Sequence, residues 1–158
     1  MEKLIEIAKK ILAANPDAYL SGSLALKLQG HPNPTEPEDI DIWIPGRIKL
    51  IEGMKAYSSS DRYEEKSHAR ESYIIDGVQV DFFFPVENPE WHPTTAYVDS
   101  MRLVNVEDIL KFKIEHALDT DYMTGVRKHA ADIIFILQNH LENTKDLKDN
   151  QIIDDIEF

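Results

Sequence analysis

The 158 residues contain no cysteine. That excludes disulfide staples, thiolate nucleophiles and sulfur-based zinc sites, and it fits a cytoplasmic chain. No apolar stretch approaches the roughly 18 residues that cross a bilayer, so no membrane partner is expected. The opening MEKLIEIAKKILAANPD intersperses Lys and Glu among its apolar positions, and so does not read as a signal peptide. Basic residues are few, 17 against 29 acidic ones, for a net charge of -12. Such a chain repels polyphosphate unless a cation or a local basic patch intervenes, which disfavours long nucleic acid as a partner. The same charge also suffices simply to keep a surface soluble.

The hydrophobic content, 42%, is enough for one core, and the length suits one domain. Leu4, Ile5, Ala8, Ile11 and Leu12 recur at helical spacing, predicting a helix over 3–14 that stops at Asn15-Pro16-Asp17. A short apolar run, Ala18-Tyr19-Leu20, leads into Ser21-Gly22-Ser23. Good helix formers follow from Leu24 to Gln29, with Gly30 as the stop. Three prolines make 31–38 a loop. Asp39 to Ile44 reads as a strand. Ile48, Leu50, Ile51 and Met54 suggest a further helix that fades at Ser58. Ser72 to Ile75 and Val78 to Phe84 are strands joined by Asp76-Gly77, a strong hairpin signal. Residues 85–100 read as irregular and Met101 to Val104 as a strand. Helices follow over Glu107 to Leu118 and Met123 to Leu141. The expectation is an α+β (α/β-like) domain over 1–141 with a small mixed sheet, and a polar, acidic, frayed tail over 142–158.

Three acidic residues stand out against this pattern. Asp39 and Asp41 lie two apart in a strand, so their side chains share a face while Ile40, Ile42 and Ile44 take the other. Two carboxylates so placed repel one another unless a cation lies between them. Oxygen ligands of this kind suit Mg²⁺, which binds through one or two carboxylates plus substrate phosphate. Asp81 sits in the apolar run Val78-Gln79-Val80-Asp81-Phe82-Phe83-Phe84, where a charge needs a partner, and a shared metal would be one. Gly22 permits close backbone approach to a ligand. The helix start after it favours phosphate, with Ser23 as cap and hydroxyl donor. Each element alone has a bland reading: a half-exposed strand face, a capping turn, an Asp paired with a basic side chain. Trp43, Tyr19 and Phe82 to Phe84 read as core rather than a base-stacking platform.

In order, however, Leu20-Ser21-Gly22-Ser23, then Asp39-Ile40-Asp41-Ile42, then Val80-Asp81-Phe82 resemble the nucleotidyltransferase superfamily. Its pattern is an apolar residue, Gly-Ser or Gly-Gly, a short helix, two alternating Asp, and a third Asp on a later strand. Val104-Asn105-Val106-Glu107-Asp108-Ile109-Leu110-Lys111-Phe112-Lys113 looks like the segment after the third Asp in bacterial members related to abortive-infection toxins. Arg127-Lys128-His129-Ala130-Ala131-Asp132-Ile133 is similar to the ending of the same group. The resemblance covers about residues 18–137.

The resemblance implies a nucleotidyltransferase fold and transfer of a nucleoside monophosphate from a triphosphate such as ATP to a hydroxyl acceptor. Asp39, Asp41 and Asp81 would be the catalytic, metal-binding residues, with Mg²⁺ or Mn²⁺ as cofactor. Gly22 and Ser23 would hold the β,γ-phosphates and Lys113 would neutralise the triphosphate. The bland alternative for Lys113 is a solvent-facing lysine on an amphipathic helix. The toxin-like relatives imply a two-component system with an antitoxin-like protein partner. The alternative from another class is a non-catalytic member that binds nucleotide or a partner protein.

Overall fold

The computed structural model describes residues 1–31, 36–57, 63–64, 68–85 and 93–118, together with Gln138. The proposed last helix, Arg127, His129 and the acidic tail lie outside the described residues. The described chain is an α+β domain built on an eight-stranded mixed sheet. In chain order come α1 (Glu2–Ala14), β1 (Tyr19–Ser21), α2 (Gly22–Leu28), β2 (Ile40–Trp43), β3 (Lys55–Ala56), β4 (Tyr63–Glu64), β5 (His68–Ile75), β6 (Val78–Pro85), β7 (Thr95–Val98), β8 (Met101–Val104) and α3 (Val106–Leu118). The strands lie in the order β3-β5-β6-β2-β1-β8-β7, with β4 on β5. No described helix is long and apolar enough to cross a membrane.

The alternation expected of β2 sets up its two faces. Ile40, Ile42 and Ile44 are almost wholly buried and belong to one core with Leu20, Val80, Phe82 and Leu103. Their registered partners, Leu20 with Ile42, Ile42 with Phe82 and Leu20 with Leu103, keep this apolar face continuous across four strands. Helix α1 adds Leu4, Ile7, Ala8, Ile11 and Leu12 at helical spacing. The other face of the sheet carries Ser21, Asp41, Trp43 and Asp81.

Turn chemistry fixes the register. Asp76 and Gly77 take φ of 48° and 77°, so a two-residue turn joins β5 to β6 with the right-handed twist that hairpins need. Counting outward, Ile75 faces Val78 and Ser72 faces Asp81. Helix α2 ends as Gly30 suggested. Gly30 adopts φ +83°, its N–H donates to the Lys27 carbonyl, and the His31 N–H donates to Leu26.

Two expectations about secondary structure need correction. Ile48 to Met54 forms no helix. The Asn15 side chain accepts from the Lys49 N–H at 2.7 Å and donates to the Lys49 carbonyl at 3.0 Å. The second contact occupies the Lys49 carbonyl, which a helix would have bonded to the Gly53 N–H, and Gly53 at φ +87° then turns the chain into β3. Within 85–100, read as irregular, Thr95–Val98 is a strand, because a second two-residue turn at Asp99 and Ser100, both with positive φ, folds it onto β8.

Asn15 is 4% exposed and also donates to Ile11. Asn15→Ala leaves both polar groups of Lys49 without their partner. We expect a loss of about 2–3 kcal/mol, read as a lower denaturation midpoint at constant m-value. An unchanged midpoint would show that Lys49 is satisfied without Asn15.

Candidate active site

Sheet register builds the site. Strands β2 and β6 run parallel, and Asp41 pairs with Asp81. Neighbouring strands stand about 4.8 Å apart, so the two side chains rise side by side from one face. On the far side of Asp41, antiparallel β1 brings Ser21 into register with it. Asp39 precedes β2 by one residue. Alternation gives it the same face as Asp41, and it is exposed where Asp41 is half-buried and Asp81 buried.

The turn after β1 presses against Asp41. Gly22 has φ +68°, and a Cβ built there would lie 2.1 Å from Asp41 Oδ2 and 3.0 Å from its Cβ. Only a bare α-carbon fits. Gly22 is therefore required by the carboxylate beside it, a reason the sequence did not give. The expected role of Ser23 as helix cap is corrected. Helix α2 begins at Gly22, its N-cap is Ser21, and Ser23 lies within the first turn.

Asp81 is 6% exposed, and protein groups already partner it. The Ser72 hydroxyl donates to Oδ1 at 2.5 Å, and the Gln79 amide donates to Oδ1 at 3.0 Å and Oδ2 at 3.3 Å. The need for a partner was rightly foreseen, but in the described chain these two residues meet it. Both were missed in the sequence, although the Asp76-Gly77 turn fixes Ser72 opposite Asp81 by counting, and Gln79 lies two positions away on the same strand face.

Lys113 corrects the solvent-facing reading. Helix α3 buries Val106, Ile109, Leu110 and Lys113, positions i, i+3, i+4 and i+7 of a core stripe, and Lys113 is only 8% exposed. The helix starts from Asn105, whose side chain accepts the Asp108 N–H at 3.0 Å. It lies over the site face: Phe112 stacks on Trp43, ring centroids 5.7 Å apart, and Trp43 shares its face with Asp41. Trp43 and Phe82 are core, as read; Tyr19 is half-buried below the Arg102 guanidinium at 6.0 Å. On the opposite face, burial first and Glu71 second raise the Tyr73 phenol above its ordinary range, so it stays neutral near pH 7.

Among the described residues no three acidic or histidine side chains gather as a ready ion cage. The structure brings Asp41 and Asp81 together and leaves Asp39 at the mouth of the strand. Two adjacent carboxylate ligands nonetheless fit the donor set of a hard divalent cation, which completes its shell with water and substrate phosphate.

No family model matches the chain, and no curated protein matches it. Among solved structures it is similar to JHP933 from Helicobacter pylori, at 19% identity and a TM-score of 0.55, over 89% of this chain and 66% of that one. It thus shares a fold with JHP933 while spanning slightly less than two thirds of its length. A second structure, a "putative nucleotidyltransferase from H. pylori", aligns at 15% identity and a TM-score of 0.48, over 99% of this chain and 85% of that one.

Proposed function

We propose that this chain is a metal-dependent nucleotidyltransferase that moves a nucleoside monophosphate from a triphosphate to a hydroxyl acceptor. The observation that carries the reading is the in-register pair Asp41 and Asp81 on adjacent parallel strands, with the Gly22 turn packed on Asp41. Two carboxylates on one sheet face beside a turn of bare backbone suit a cation-bridged triphosphate better than they suit a purely structural face.

In this reading Asp39, Asp41 and Asp81 hold Mg²⁺ or Mn²⁺. When bound there, the cation supplies the positive charge that stabilises the entering and leaving oxygens. Gly22 and Ser23 receive the β,γ-phosphates. Asp81 would be the ligand nearer the acceptor and would take its hydroxyl proton as the acceptor oxygen bonds to the α-phosphorus, while the bond to the β-phosphate breaks and pyrophosphate leaves. Lys113 neutralises phosphate charge. The toxin-like role, with an antitoxin-like protein as partner, rests on the sequence resemblance alone.

Calorimetric titration with ATP, CTP, GTP and UTP, each with and without Mg²⁺, tests the reading. At least one should bind only when metal is present. No metal-dependent binding of any of the four would reject the reading, and binding without pyrophosphate release across a panel of acceptors would favour a non-catalytic binding protein. Lys113→Met should lower triphosphate affinity by roughly 10- to 100-fold, the worth of one charge-assisted hydrogen bond. A melting curve recorded in parallel checks that the variant stays folded. Unchanged affinity in this variant would give Lys113 a structural role only.

A further inference from the structure

Asp81 and Ser72 are 6% and 5% exposed, and Gln79 stands beside them on β6. A carboxylate offers about four lone-pair sites over two oxygens. Here Oδ1 accepts from both Ser72 Oγ and Gln79 Nε2, whereas Oδ2 accepts one longer bond of 3.3 Å from Gln79. Rotation of an Asp carboxylate about its last bond is intrinsically broad. Two donors converging on one oxygen, from two different strand positions, remove that freedom.

We propose that Ser72 and Gln79 are positioning residues that clamp Asp81, Ser72 on Oδ1 and Gln79 across both oxygens, so that Oδ2, which carries only the one longer bond, is the oxygen offered to a divalent cation. The inference rests on the metal-dependent reading of the site. It makes Asp81 a one-oxygen ligand whose direction is set by the β5–β6 hairpin, and the two-residue turn at Asp76-Gly77 sets that alignment because it alone puts Ser72 opposite Asp81. A merely structural pair would satisfy a buried carboxylate with no consequence for ion binding.

The experiment measures Mn²⁺ affinity of the full chain from free Mn²⁺ by electron paramagnetic resonance, with melting temperature recorded in parallel. Ser72→Ala should weaken Mn²⁺ binding about 10-fold, as loss of a partner that orients a metal ligand does. Ser72→Thr, which keeps the hydroxyl, should restore it. Gln79→Met, which keeps the length and removes the donor, should weaken binding to a similar degree, and it decides the matter should Ser72→Ala not fold. Wild-type affinity in folded Ser72→Ala or, failing that, in Gln79→Met overturns the proposal. If binding is lost in Asp41→Asn while the Ser72 and Gln79 variants bind normally, the metal site stands and only the clamp is rejected. Absence of saturable Mn²⁺ binding by the wild-type chain rejects the metal site and the clamp with it.

Discussion

Asp41→Asn and Asp81→Asn should each lower metal-dependent triphosphate binding and pyrophosphate release by roughly 100- to 1000-fold, the range seen when one preorganised electrostatic group is removed from an active site. The exchange keeps shape and removes charge. The fold should survive it. At Asp41, deleting one of two neighbouring like charges relieves their mutual repulsion in the metal-free chain. At Asp81 the Ser72 and Gln79 donors can still converge on the remaining carbonyl oxygen. Added Mg²⁺ with nucleotide should stabilise the wild type by mass action on the native state, and neither variant to the same degree. Asp39→Asn should have the smaller effect, since Asp39 is exposed and stands before the strand. Calorimetry and melting curves, with and without metal, read all three variants. Wild-type affinity in folded Asp41→Asn and Asp81→Asn would leave the paired carboxylates as a surface feature of the sheet.

Gly22→Ala is expected to be the most damaging small substitution in the described chain, for two separable reasons. A side chain at φ +68° is strained by about 1–2 kcal/mol. Its Cβ would also stand 2.1 Å from Asp41 Oδ2, so Asp41 must move. Together these should cost about 3 kcal/mol or more, a fall in melting temperature on the order of 6–12 °C for a chain of this size. A double-mutant cycle separates the two. In an Asp41→Ala background the closest side-chain atom left is the Cβ, 3.0 Å away, so the penalty of Gly22→Ala should shrink by about 1 kcal/mol or more while the backbone strain stays. Equal penalties in both backgrounds would mean that the carboxylate does not sit against Gly22. The folded fraction of Gly22→Ala should also bind Mn²⁺ less tightly, because its Asp41 is displaced. Gly22→Val would also fill the space that a phosphate needs against bare backbone. The observed contact adds a nearer cause: the substitution disturbs the carboxylate before any phosphate arrives.

The sequence by itself determined the elements that depend on short-range chemistry. Alternation made β2 a strand with isoleucines on one face and aspartates on the other, and Asp76-Gly77 demanded a two-residue hairpin. Gly30 ended α2 because a left-handed residue closes a helix without strain, and the stripe of α1 followed its 3.6-residue period. It also supplied the ordered Asp39, Asp41 and Asp81 from which a cation-binding site was read. What it could not determine was decided by residues distant in the chain. Asn15 bonds Lys49, 34 positions away, and so overrides the apolar spacing that suggested a helix over Ile48 to Met54. Parallel pairing of β2 with β6 puts Asp41 beside Asp81, and no local pattern specifies which strands pair across a crossover. Packing of α3 over the site face turned Lys113 from an ordinary helix lysine into a buried one. A lysine on an amphipathic helix reads as exposed until the burial of its neighbours is known. Local propensity and turn geometry are properties of a few consecutive residues. Register between remote strands, and the burial of charge that follows from it, arise only when the whole sheet has closed.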